Sequence, residues 1–249
     1  MAFPITHLLV ANTLLDRHPR PDTDAAQFLL GVLAPDAIHY REGFAGAEMK
    51  NIGAAKKVTH LCPVSDERWG AVTDNEGWIQ CIEEFLRTYT NSQLGDNVTK
   101  KGSTMPMLAN GSNPLIEGYA VHNLTDCYNN MTLWYSFRSK HPAEAAKGYA
   151  SGYYRDLQEI DIRLYLAYVA GSKIERLLAM AQPFDMPGLV SAKEIRAIRD
   201  NILYENYKGR IPLDSHKYTF VTCDDTLDYI VKTADFIDEL QIVSRNFQG

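Results

Sequence analysis

Apolar residues along this chain recur at intervals of three and four rather than two, which predicts helices. Ile5, Leu8, Leu9, Leu14 and Leu15 supply the apolar content of a first helix that starts at Pro4 and ends near Asp16. A second helix runs through "AAQFLLGVL", capped by Asp22 or Thr23 and stopped by Pro35. "DNEGWIQCIEEFLRTYTNSQ" predicts a third, with Asp74 or Asn75 as its cap, and the stretch from Pro114 through "EGYAVHNLTDCYNN" a fourth. "PAEAAKGYASGYYRDLQEIDIRLYLAYVAGSKIERLLAMAQ" reads as one long helix or two in series, with weak points at Gly148, Gly152 and Gly171. Ser191 and Glu194 form a capping box for a helix that Gly209 ends, and "TLDYIVKTADFIDELQIVSRNF" is the last. The stretch from Asp36 to Asp66 and "KKGSTMPMLANGSNP" lack periodicity and read as loops, and "KYTFVTC" is the one strand candidate. The expectation is a single all-α domain over residues 1–249.

Composition narrows the function classes. The 249 residues are 45% hydrophobic, enough for a substantial core. Net charge is −6 and no dense Lys/Arg run occurs, so a nucleic-acid-binding surface is not expected. The N-terminal apolar run lacks a basic leader and a small-residue cleavage signal, and no stretch has the length needed to span a bilayer. Cys62, Cys81, Cys127 and Cys223 are widely spaced, which suggests reduced thiols in a cytoplasmic protein. The sequence contains no HExxH, GxSxG, GxxxxGK[ST] or GxGxxG pattern and no adjacent His-Asp pair.

The fourth helix raises a chemical question. His122 and Asp126 lie four apart inside an otherwise apolar stretch and so share a helix face. Such a pair is either a hydrogen bond in a core or part of a metal site. Of the other histidines, His18, His141 and His216 fall in polar loops. His7 shares a face with Phe3, Val10, Ala11 and Leu14, and His60 lies in "VTHLCP". With Asp36, the set offers three imidazoles and two carboxylates, which suits zinc and also manganese or iron. Five ligands exceed the three protein ligands of a mononuclear catalytic zinc, so two ions fit the count.

"PITHLLVANTLL", "FLLGVLAPDAIHYR", "VTHL" and "GYAVHNLTDCYNN" resemble, in order, the motifs of the zinc-dependent phospholipase C family, which is all-helical and related in fold to the S1/P1 nucleases. The resemblance covers roughly the first half of the chain. It implies metal ligands at His7, Asp36, His60, His122 and Asp126, and phosphoester hydrolysis at a cluster of up to three zinc ions. Secreted members of that family also use an N-terminal tryptophan and a His-x-x-x-Glu pair on a later helix. Here the chain starts "MAFP", and the later helix offers only Asp156, Glu159 and Asp161, of which Asp156 is the candidate ligand. One or two ions are therefore expected.

The implied enzyme is a metal-dependent phosphoester hydrolase acting on a phosphodiester or phosphomonoester. Its substrate would be a small phosphorylated molecule or a phospholipid headgroup. Asp36 is a candidate general base as well as a ligand, and His39 a candidate proton donor to the leaving group. Arg41 and Lys57 are candidate phosphate contacts. The competing expectation is a helical binding or structural module that keeps the fold and at most one metal without turnover.

Overall fold

The computed structural model describes residues 3–44, 55–63, 72–91 and 113–241. The chain is all-α over these residues. The elements are α1 (Pro4–Arg17), α2 (Asp22–Leu33), α3 (Asn75–Asn91), α4 (Pro114–Met131), α5 (Leu133–Lys140), α6 (Gly152–Leu164), α7 (Lys173–Met180), α8 (Ala192–Tyr204) and α9 (Cys223–Leu240). No described helix is long and apolar enough to cross a membrane. The loop expected before Pro114 lies almost wholly outside the described residues.

Helix ends follow local chemistry. Asp74 accepts the Gly77 N–H at 2.8 Å and so caps α3. Asn113 Oδ1 accepts the Leu115 N–H at 3.0 Å ahead of Pro114, which needs no partner at the first turn of α4. The capping box of Ser191 and Glu194 forms at α8, and a second one, Thr222 with Asp225, opens α9.

The second helix ends at Leu33, just before Pro35, as expected. The chain then passes directly into a 3₁₀ segment, Ala34–Tyr40, in place of the loop expected from Asp36, since Pro35 has no N–H for a bond one α-turn back. Of the two readings for the stretch after Pro142, the series is found, broken at two of the three expected weak points by left-handed glycines, Gly148 (φ 57°) and Gly171 (φ 69°). A π-helical turn, Tyr165–Val169, extends α6. The strand candidate is no strand: Thr219, Phe220 and Val221 direct their N–H groups at Asp156, and α9 begins at Cys223. Among the described residues there are no strands, only a bridge between Met186 and Val190.

The centre of the fold is the contact between α2 and α4. Every residue of α4 except Tyr128 and Met131 is buried, so this helix is enclosed on all sides. Two glycines let it approach α2. A Cβ on Gly118 would lie 2.0 Å from the Phe28 carbonyl oxygen, and one on Gly31 would lie 2.1 Å from that of Leu115. Around this pair, α1 packs on α2 and α9, α3 on α4, and α7 on α2, and one continuous apolar core runs through them. A buried ion pair, Arg20 to Glu117 at 2.9 Å, ties the α1–α2 turn to the start of α4.

This contact sets a test. In an ordinary helix interior, Gly→Ala stabilises by about 1 kcal/mol. Gly118→Ala should reverse that sign and destabilise by about 1–3 kcal/mol, because the methyl meets backbone rather than a movable side chain. Urea unfolding of the variant measures it, and a gain in stability would rule out the close approach.

Candidate metal centre

Four separate segments carry the charged cluster. α1 presents His7, the 3₁₀ segment Asp36, a short helical turn at 55–59 leads into His60, and α4 presents His122 and Asp126. The 3₁₀ segment matters because it follows α2 directly and so brings Asp36 to the level of the α4 pair. His60 is fixed by its backbone: its N–H bonds to the Lys56 carbonyl at 2.8 Å and its carbonyl accepts the Trp78 indole N–H at 2.8 Å. Leu61 follows in the left-handed region (φ 50°), a strained conformation for a branched residue beside a candidate site.

The imidazoles are oriented by carbonyls. Nδ1 of His122 donates to the Val32 carbonyl at 2.7 Å, and Nδ1 of His60 faces the Lys56 carbonyl at 3.1 Å. A carbonyl only accepts, so in the neutral His122 ring Nδ1 carries the hydrogen and Nε2 keeps its lone pair. Nδ1 of His60 also meets the Thr59 hydroxyl at 3.0 Å, which can donate as well as accept. Burial pushes the pKa of both imidazoles down, which favours these neutral forms. The two Nε2 atoms lie 3.4 Å apart, and each is 3.8 Å from Oδ2 of Asp126. Two imidazole nitrogens and a carboxylate oxygen thus face one another. Asp36 Oδ1 is 3.4 Å from His60 Nε2. The ring of His7 stacks on that of His122 at 3.9 Å, and its Nε2 is 3.4 Å from Asp126 Oδ1 without the alignment of a hydrogen bond.

The arrangement could hold a cation. Two overlapping sets, His7–Asp36–His122 and His60–His122–Asp126, each bring three ligand atoms within 4.8 Å of one another. The donors are imidazole nitrogen and carboxylate oxygen, the mixture that zinc, manganese and iron accept. The residues present therefore fit a metal ion, whose identity they leave open.

The two carboxylates stay ionised despite their burial because of their neighbours. Burial alone would push Asp36 up, but the Lys56 ammonium and hydrogen bonds from His39 and His60 hold its carboxyl well below the usual range. Burial also acts on Asp126, and the neighbouring His7 overcomes it and holds that carboxyl low. Lys56 Nζ lies 3.1 Å and His39 Nε2 3.5 Å from the same Asp36 oxygen. Asp36 is 16% exposed where His60 is fully enclosed, so it is the member of the cluster that meets the outside. It does so in a cleft of about 450 Å³, whose wall also includes His39, Tyr40, Lys56, Tyr149 and Tyr154.

Five of the six candidate ligands thus come together, and Asp156 does not. Its carboxylate takes His216 Nε2 at 2.9 Å and the N–H groups of Thr219, Phe220 and Val221 at 2.9, 2.8 and 3.4 Å. Its neighbours on α6 are likewise committed: Glu159 accepts the Leu213 N–H at 2.7 Å, and Asp161 accepts the Ile5 N–H at 3.1 Å and the Tyr207 hydroxyl. The α6 carboxylates are buried wiring rather than a solvated face. Of the candidate phosphate contacts, Arg41 is held by Glu194 at 2.7 Å and the Leu189 carbonyl at 2.6 Å. Lys56, not Lys57, faces the cleft. Its signal was the spacing of four between Lys56 and His60, visible only once residues 55–59 are known to be helical.

No family model matches the chain, and no curated protein and no solved structure gives a significant match. No family is thereby identified.

Two outcomes are expected. Elemental analysis of protein purified without chelator should find metal in the wild type, lost in His122→Ala and Asp126→Ala and kept in Asp156→Ala, which should instead lose about 2–4 kcal/mol of stability through its stranded N–H groups. The second concerns pH. His60 and His122 are neutral in the fold but protonated in the unfolded chain below about pH 6.5. Their contribution is complete above that pH and is lost as pH falls through the lower folded values. Asp161, pushed up to about 7 by burial, pulls the other way over the same range, so a difference is the clean readout. The stability gap between ion-free wild type and His122→Asn should shrink from pH 7 to pH 5; a constant gap would exclude the neutral tautomer.

Proposed function

We propose that this chain is a metal-dependent phosphoester hydrolase centred on His7, Asp36, His60, His122 and Asp126. One observation carries the reading: imidazole nitrogens and carboxylate oxygens from four segments converge within 4.8 Å of one another in two overlapping sets, and the carboxylate that borders them opens into a cleft. The resemblance of the four motif blocks to the zinc-dependent phospholipase C family supports the same reading.

A divalent ion held there would supply Lewis-acid chemistry for a water and a phosphate oxygen. The protein's own groups do the rest. His7, His60, His122 and Asp126 form the holding set, their rings fixed by backbone carbonyls and stacking. Asp36, kept ionised by Lys56 and facing the cleft, takes the proton of the attacking water. A new P–O bond forms to that water oxygen as the bond to the alcohol oxygen breaks. His39, 43% exposed at the rim and 3.5 Å from Asp36, gives a proton to the departing alkoxide.

Metal-loaded protein should hydrolyse p-nitrophenyl phosphate or bis(p-nitrophenyl) phosphate, and Asp36→Asn should lower kcat by about a hundredfold or more. Metal bound without turnover on either ester would leave a helical module with a structural ion.

A further inference from the structure

We infer that Lys56 is the anion-holding arm of the cleft, and that the ligand is a small molecule carrying one phosphate on a neutral body. This rests on the metal-centre reading above and names the ligand of that same site. Lysine is almost never fully buried without a charged counterpart. Lys56 is only 4% exposed, yet it lines the cleft. Its Nζ sits 3.1 Å from Asp36 Oδ1, the oxygen that His60 and His39 also approach at 3.4 and 3.5 Å.

Charge decides what the cleft attracts. Asp36 and Asp126 each contribute one negative charge and Lys56 one positive, so a single divalent ion leaves the group with one net positive charge. That excess lies in a low-dielectric wall, where its field reaches the cleft with little screening. Asp36 is the one carboxylate among the described cleft-lining residues, so nothing else there repels an anion. A phosphate seated between the ion and Lys56 answers the excess with charge-assisted hydrogen bonds.

The rest of the wall describes the body of the ligand. Ile198, Asn201 and Ile202 line it from α8, at the spacing of one helix face. Tyr149 and Tyr154, with rings 4.7 Å apart, and Phe3, 6.2 Å from Tyr154, contribute aromatic surface. The described wall has no arginine and no cation beyond Lys56 and a protonatable His39, so a second phosphate has no second arm. A volume of about 450 Å³ takes one such body.

The test measures phosphate affinity apart from turnover. Calorimetric titration of zinc-loaded wild type with inorganic phosphate should show binding. Lys56→Met, with metal content checked, should weaken it tenfold or more, and Lys56→Arg should restore part of it. In steady state the Met variant should raise KM for p-nitrophenyl phosphate more than it lowers kcat. Phenyl phosphate should bind more tightly than ATP. No phosphate binding by the wild type, or unchanged affinity in a metal-retaining Lys56→Met, would overturn the assignment of Lys56. Tighter binding of ATP would overturn the single-phosphate part. If Lys56→Met does not fold, Lys56→Gln replaces it, and loss of metal in both makes Lys56 a part of the metal cluster instead. Phosphate held through Lys56 without ester hydrolysis would sink the hydrolase and keep this inference. Hydrolysis with phosphate affinity indifferent to Lys56 would do the reverse.

Discussion

Two glycines hold this molecule's geometry. Gly31 and Gly118 let α2 and α4 touch backbone to backbone, closer than any Cβ permits. The ring of His122 reaches the Val32 carbonyl on α2, and the 3₁₀ segment that continues α2 delivers Asp36 beside it. Widening the helix pair would separate the imidazole from the carbonyl that fixes its tautomer. The metal-ligating atoms depend on the same contact as the core, so packing and chemistry here are one constraint.

An enclosed helix with many polar side chains would be unstable without partners. The partners of α4 come from every side. Glu117 takes Arg20, Asn130 donates to the Val72 carbonyl at 2.9 Å, and Thr125 returns its hydroxyl to the Val121 carbonyl at 2.8 Å. His122 and Asp126 face one another and His60. Imidazole nitrogens and carboxylate oxygens gathered this closely are also a donor set that could hold a metal ion. The strained Leu61 and the buried Lys56 lie on the same short segment as His60, which concentrates the cost of this chemistry in one stretch of chain.

The carboxylates of α6 show how similar residues can serve a different end. Asp156 organises the chain at 216–221, Glu159 holds Leu213, and Asp161 meets the first turn of α1 just before His7. A carboxylate at a helix N-terminus meets exposed N–H groups and the positive end of the dipole. Asp161 therefore seats the helix that carries a candidate ligand without joining the ligand set. The aromatic and α8 walls of the cleft complete the surroundings of Asp36.

Much of this was legible in the chain. Periodicity and caps located the helices, because burial of one face and satisfaction of terminal N–H groups are local demands: Asp74, Ser191 and Pro114 act where the pattern placed them. The His122–Asp126 pair was legible too, since a spacing of four fixes a shared face. Local pattern misjudged Lys56 and Asp156. Asp156 is buried because a distant loop folds onto it. By itself the sequence determined the helices and the residue types able to bind a metal. Only the tertiary structure decided that His7, Asp36, His60, His122 and Asp126 meet, and that Lys56 rather than Lys57 faces the cleft. Those meetings join positions far apart in the chain, and they follow from how closely two helix backbones can approach, which no local spacing encodes.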